Sequence, residues 1–246
     1  MRRLHAVGLH ESFVASGQHQ ISWVQIPGGA ATSTETESWS LHALPDGSHL
    51  FRADRQGAAA RPLWVLEALR DAHGRIQRLD RLIERSEPDE WVQVRSTYTF
   101  FVDHVQIGWA ANRKPNGDVQ HQEMEWALVP GYQVNVGAAG ARGWLLQAAA
   151  GEGCVPVFAP AEFDGLAPEN IEDGVSGLHT LCAWTGAVAQ LTLPSQTLTG
   201  IEVVYGAVPD WDLADGRALV DRHGIMLLDN THSTVARLMR YARRPA

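Results

Sequence analysis

The chain is short of lysine, of cysteine and of uninterrupted apolar sequence. Lys114 is the single lysine among 20 cationic residues set against 28 acidic ones, leaving a formal charge of −8 and a pI near 5.7. A protein that grips a phosphate backbone needs a cationic face to displace counterions, and no basic run occurs before Arg237 to Arg244. Nucleic acid is therefore not an expected partner. The apolar stretches are too short and too interrupted to cross a bilayer as helices, so no membrane span is expected. Met1-Arg2-Arg3-Leu4-His5 begins as an export signal would, but His10, Glu11, Gln18 and His19 break the apolar segment that should follow. With its arginine-rich composition, the chain reads as an unexported protein of the bacterial cytoplasm. Cys154 and Cys182 are the only cysteines and neither belongs to a CxxC pair, so a disulfide framework is not expected, although one bond between them is open.

Reaction motifs are absent too. Zinc needs three or four converging N or S donors, usually with close pairs such as HxH, HExxH or CxxC; eleven histidines supply none of these. His179-Thr180-Leu181-Cys182 offers an i, i+3 pair, but on a strand those side chains point to opposite faces. No metal site is expected. Gly174-Val175-Ser176-Gly177 lacks the elbow pattern of a hydrolase serine, and there is no GxGxxG or P-loop, so nucleotide chemistry is disfavoured and no cofactor is implied.

What the chain has in quantity is tryptophan, nine residues spread from Trp23 to Trp211, together with runs that alternate apolar and polar. Gln20 to Ile26 forms a strand ended by Pro27-Gly28-Gly29. Trp39, Leu41 and Ala43 alternate with Ser40 and His42 up to Pro45-Asp46-Gly47-Ser48, and Leu50 to Ala53 resume beyond, a hairpin signature. Leu63–Leu69 and Ile76–Ile83 flank Gly74 as a second strand pair. Trp91 to Ile107, dense in β-branched and aromatic residues, is interrupted at Asp103-His104. Pro115-Asn116-Gly117 turns the chain into a strand from Val119 to Val129. Gly143 to Ala150 has helix formers between glycines. Glu152 to Gly174 reads as a long connection carrying an edge strand at Val155–Phe158. Strands follow at Gly177–Leu193, Thr197–Val208, Arg217–Asp221, Ile225–Leu228 and Val235–Tyr241, with Asp210-Trp211-Asp212 as a turn.

The sum is a mainly β protein: one domain over residues 1–246, a large antiparallel sheet rolled or barrel-like, with few short helices. Surface scaling gives about 10,800 Å² for the folded chain against about 39,000 Å² unfolded, so roughly 70% of its surface can be buried. Asp71-Ala72-His73-Gly74 recurs as Asp221-Arg222-His223-Gly224, which raises two pseudo-repeated halves joined near 150–175; Asp and Gly also recur in hairpin turns through backbone geometry alone.

The run Tyr98-Thr99-Phe100-Phe101-Val102-Asp103-His104-Val105, the segment Leu128-Val129-Pro130-Gly131-Tyr132 and the closing unit from Ala218 to Leu227 resemble a group of bacterial β proteins that includes glycolipid-binding proteins and the LolA-like lipoprotein carriers. The resemblance is one of pattern, covering Trp39 to Tyr132 and the last forty-odd residues, and it transfers no binding residue. It implies a sheet rolled around an apolar lumen suited to lipid-like molecules. The chain departs from the envelope members in lacking an export signal or lipobox cysteine.

Two functions from different classes follow. The first is binding of an apolar or amphipathic small molecule, lipid- or isoprenoid-like, in a cavity walled by Trp39, Trp64, Trp91, Trp109 and Trp126, where stacking and hydrophobic transfer supply affinity. The second is a metal-free acid–base enzyme, an isomerase, cyclase or hydratase using the same cavity. Desolvation would there bring a His or carboxylate toward neutrality, with Asp103 and His104 as catalytic candidates. Glu123 and Glu125 are weaker candidates, because residues two apart on a strand share a face that usually meets water; Asp210 and Asp212 flank Trp211 in a turn, and His179 and His232 have no better claim. A third class, a homo-oligomer pairing its strands across subunits, stays open.

Overall fold

The alternation written into the sequence becomes one sheet. The computed structural model describes residues 2–6, 8–24, 31–56, 63–86, 91–114, 119–160, 175–209 and 214–244. Its strands are β1 (Ser12–Val24), β2 (Ala31–Ala43), β3 (His49–Gln56), β4 (Leu63–Arg70), β5 (Ile76–Ser86), β6 (Trp91–Phe100), β7 (His104–Lys114), β8 (Val119–Ala127) and β9 (Gln133–Val134). After the helix α1 (Ala139–Glu152) come β10 (Cys154–Pro160), β11 (Val175–Leu193), β12 (Gln196–Gly206), β13 (Gly216–Val220), β14 (Met226–Thr231) and β15 (Thr234–Arg243). The expected turns at Pro27-Gly28-Gly29, Pro115-Asn116-Gly117 and Asp210-Trp211-Asp212, and most of the connection from 161 to 174, lie outside the described residues.

Neighbouring strands run β8-β7-β6-β5-β4-β3-β2-β1-β15-β14-β13-β12-β11-β10-β9 in a 15-stranded sheet. Every pairing is antiparallel except the short parallel one between β9 and β10. The first and last long strands, β1 and β15, pair at the centre, so the two halves of the chain are zipped together where its ends meet. The sheet is rolled but not closed: β8 and β9 are its two ends in the hydrogen-bonding order. Val155–Phe158, expected as an edge, lies one strand in from it, with β9 on one side and β11 on the other.

The echoed tetrapeptides build the same turn. Asp71 N–H bonds Arg75 O at 2.8 Å and Gly74 N–H bonds Asp71 O at 3.1 Å; Asp221 and Gly224 repeat this at 2.9 and 3.1 Å. Gly74 and Gly224 take φ of +87° and +76°, which a side chain would strain. Leu44 to Ser48 closes in the same way around Gly47, with bonds of 2.9 and 3.1 Å.

Helix α1 explains how the roll is filled. Its alanines and leucines favour a helix, as the sequence indicates for 143–150, but it begins four residues earlier because its cap comes from far away in the chain. Ala138 supplies no side-chain cap. The fully buried Glu37 on β2 accepts the Ala139 and Gly140 N–H groups, both at 3.0 Å, and pairs with Arg55 at 2.9 Å. A carboxylate at a helix N-terminus satisfies orphan donors and meets the positive end of the dipole. Trp144 of α1 then lies edge-on to Phe51 of β3, centroids 5.6 Å apart. Leu145, Leu146 and Ala149 pack on Val155, Val157, Leu181, Val203, Tyr205 and Val220 from the other half. Cys154 and Cys182, opposed in the β10–β11 register, form a disulfide.

Candidate functional site

Four of the five indoles singled out in the sequence, all but Trp91, are brought to one face. Trp39 and Trp109 are 1% exposed and Trp64 is buried, all in one cluster with Phe51, Tyr98, Phe100, Trp144 and Phe158; Trp126 packs half-buried at its margin. Trp91 is half-buried at the start of β6. Trp39 stacks on Phe51 at 5.9 Å and is clasped by glycines from two elements. A Cβ on Gly17 would come within 2.5 Å of its ring, and one on Gly140 within 2.9 Å. Its Nε1–H donates to Nδ1 of fully buried His19 at 3.0 Å, and the other His19 nitrogen donates to Met226 O at 2.7 Å. That pair of bonds fixes a neutral imidazole, and burial lowers its pKa.

On the opposite face of β3–β6 an ionic layer is covered by the N-terminal residues. Arg52, 1% exposed, binds Glu11 through both terminal nitrogens at 2.6 and 2.8 Å and Glu67 through Nε at 3.2 Å. Glu67 also accepts the Leu4 and His5 N–H groups, at 2.8 and 3.1 Å. Asp54 accepts Arg2 N–H at 2.7 Å. Hydrogen bonding from Arg52 lowers the Glu11 pKa to about 2. Arg52, Glu11, Glu67 and Asp54 all find partners inside the chain, so this layer holds the N-terminal residues down.

Asp103 and His104 occupy the turn between β6 and β7. His104 Nδ1 bonds Asp103 Oδ1 at 2.8 Å and its ring stacks on Phe101 at 4.4 Å, with Asp103 exposed. The hydrogen bond lowers the Asp103 pKa. Glu123 and Glu125 are exposed on β8; with Arg95, Thr97, Thr99 and Gln106 they rim a depression of about 610 Å³. Its charges are of both signs and water reaches them, which gives no ligand class a preference. His179 and His232 are exposed on β11 and in the β14–β15 turn. Among the described residues no group of three or more His, Cys, Asp or Glu is arranged to hold a metal, and no helix is long and apolar enough to cross a membrane.

A different kind of cleft, of about 500 Å³, opens between the tip of the β11–β12 hairpin, the β13–β14 turn and the end of β15. The hairpin is laid against β15 by Gln196, whose amide donates to Tyr241 O at 2.8 Å. It contributes Val188, 70% exposed, Ile201, 44% exposed, and half-buried Leu198. Val188 and Ile201 are register partners beside a β-bulge between Thr185 and Val188, which turns this stretch of β11 out of the regular ladder. Facing them are Arg222 and His223 from the turn and Tyr241 and Arg243 from β15. Arg222 Nε donates to His223 Nε2 at 2.9 Å and an Arg243 nitrogen lies 3.4 Å from Nδ1, so the imidazole sits neutral between guanidiniums. Burial and the field of Arg243 lower its pKa. Asp221 spends Oδ1 on the His223 and Ile225 N–H groups, at 2.8 and 2.9 Å. The Tyr241 ring lies 6.2 Å from that of Trp39, connecting this cleft to the indole core. Exposed aliphatics opposite two guanidiniums form an amphipathic surface in their own right.

Sequence reasoning missed these residues. The sequence marks Arg222 and His223 only as part of a turn echo, and Arg243 only as part of a terminal basic run. Only the adjacency of turn, hairpin tip and last strand joins them, and no spacing in the sequence encodes it.

No protein-family profile matches the chain, and no curated protein matches it. Among solved structures it is similar to one described as a β-barrel-like protein of a domain of unknown function, DUF1849, from Brucella abortus. The two share 10% identity over 95% of this chain and 99% of the other, with a TM-score of 0.50. The likeness supports the rolled β architecture and does not extend to the glycolipid-binding or LolA-like families.

Proposed function

We propose that the protein binds an amphipathic small molecule carrying an anionic group, without transforming it. The observation that carries this reading is the cleft in which Val188, Leu198 and Ile201 face Arg222, His223 and Arg243. Apolar surface left in water costs about 25 cal/mol per Å² that a ligand can recover. Paired guanidiniums favour an anion through charge-assisted bonds, and the apolar walls strengthen them by lowering the local dielectric. The sequence-level expectation of a lipid-like ligand agrees with this chemistry, as does the rolled sheet. Of the five indoles only Trp39 adjoins the cleft, its ring 6.2 Å from that of Tyr241, so its emission is the one expected to report occupancy.

Titration with dodecanoate, followed by calorimetry and by tryptophan emission, tests it. Saturable binding is expected, weakened about tenfold by Arg243→Ala and again by Arg222→Ala, each a loss of order one charge-assisted hydrogen bond. Unchanged affinity in the double variant would refute the assignment.

A further inference from the structure

Beyond the cleft lies a smaller pocket of about 230 Å³, lined by Gln147, Ala150 and Gly151 from α1 and by Thr185, Ile201, Val203 and Val220 from β11, β12 and β13. Ile201 lines both spaces. Its register partners are Val188 on β11, which belongs to the cleft, and Val220 on β13, which belongs to the pocket. Ile201 is thus the sill between them. The reason it is exposed is the length of α1: Val203 and Tyr205, on the same face of β12, are covered by Leu145, Leu146 and Ala149, but the helix ends at Glu152. Beyond the end of the helix Ile201 and Val188 are exposed, while Val220 stays buried against α1. At Gly151 the space is open, with no atom within 4 Å of where a Cβ would stand. Charge is confined to the cleft: Arg222, Arg243 and Asp221 line it, and the pocket's polar lining is limited to Gln147 and Thr185, both uncharged.

We infer that the ligand is a single-chain anionic amphiphile, its charged group held by Arg222 and Arg243 and its hydrocarbon tail passing over Ile201 into the pocket at the C-terminal end of α1. This rests on the reading of the cleft given above. An apolar pocket of only about 230 Å³ with charge at one end favours one linear chain over a branched or double-tailed molecule, because each buried methylene adds affinity only while it has wall to touch. Selection by tail length follows.

The test is calorimetric titration of the intact protein with octanoate and with dodecanoate at fixed salt, for the wild type, Gly151→Leu and Thr185→Phe, with unfolding midpoints confirming that each variant folds. Gly151→Leu fills the pocket from the helix and Thr185→Phe from the strand, so the outcome does not hang on one substitution. The wild type is expected to bind dodecanoate at least tenfold more tightly than octanoate. In both variants that advantage should shrink to about twofold, with octanoate affinity unchanged. If the advantage persists in both variants, or is absent from the wild type while octanoate still binds, the tail does not use the pocket and the inference falls although the cleft reading stands. If neither fatty acid binds the wild type, the cleft reading fails and takes the inference with it.

Discussion

Two regions of this molecule both place arginine beside apolar surface, and they differ in whether the charge is already answered. On the face of β3–β6 covered by the N-terminal residues, Arg52 meets Glu11 and Glu67, and the carboxylates take up the N–H groups of the chain lying over them. At the mouth between the β11–β12 hairpin and β15, Arg222 and Arg243 converge on a neutral imidazole that cannot neutralise them, beside the exposed aliphatics Val188 and Ile201. Buried charge is tolerable only when paired, so the first arrangement is architecture. The second, on the reading proposed above, is complementary to an anion from outside the chain. Counting arginines would not distinguish them; following each guanidinium to its acceptor does.

The largest expected effect falls on another buried carboxylate that is fully paired inside the chain. Glu37→Ala removes the remote cap of α1 and leaves Arg55 without its 2.9 Å partner. Chemical denaturation should show a loss of about 3–5 kcal/mol, the usual consequence of breaking a buried pair; a loss below about 1 kcal/mol would mean that α1 is held by its apolar contacts alone. Next, Cys154→Ser with Cys182→Ser opens a bond spanning 28 positions. Loop-closure entropy puts its contribution at about 3.5 kcal/mol, read as the difference in unfolding free energy between oxidised wild type and the double variant.

Acid should unfold the architectural side in two stages. His19 is neutral in the fold with its pKa lowered, so the unfolded chain takes up a proton first, and stability declines as pH falls below about 6.5. Glu11 has its pKa lowered from 4.5 to about 2. Its contribution is therefore complete above pH 4.5 and is lost as pH falls toward 2. Urea midpoints between pH 8 and 3 should decline across both windows in the wild type. Glu11→Gln should lack the lower step, and a parallel decline in both proteins would contradict the role of the Arg52 pair. Smallest of all, His104→Ala alters an exposed turn. It should change stability by no more than about 0.5 kcal/mol and leave dodecanoate affinity unchanged, whereas a tenfold loss of affinity would return the Asp103–His104 pair to the site.

Much of the fold was legible because sheets declare themselves in local pattern. The hairpins around Gly47, Gly74 and Gly224 were marked by residues whose backbone preferences act over four positions, and the Trp91–Phe100 strand by its β-branched and aromatic density. The indole face was legible as composition but not as geometry: Trp39 needs Gly17 and Gly140, which stand 22 and 101 positions away in the sequence. The start of α1 was not legible, since its cap is Glu37. Nor was the Cys154–Cys182 bond more than open, because only strand register brings the pair together. The cleft was hidden for the same reason, its cations and its aliphatics coming from three elements whose proximity is a property of the roll.

The central claim is that the mouth beside β15 selects an anionic amphiphile. Parallel calorimetric titrations with dodecanoate and dodecyltrimethylammonium, equal in tail and opposite in charge, test it most directly. The account predicts that dodecanoate binds at least tenfold more tightly and that Arg222→Ala with Arg243→Ala abolishes the difference. Equal affinities for the two, or a preference for the cation, would contradict it.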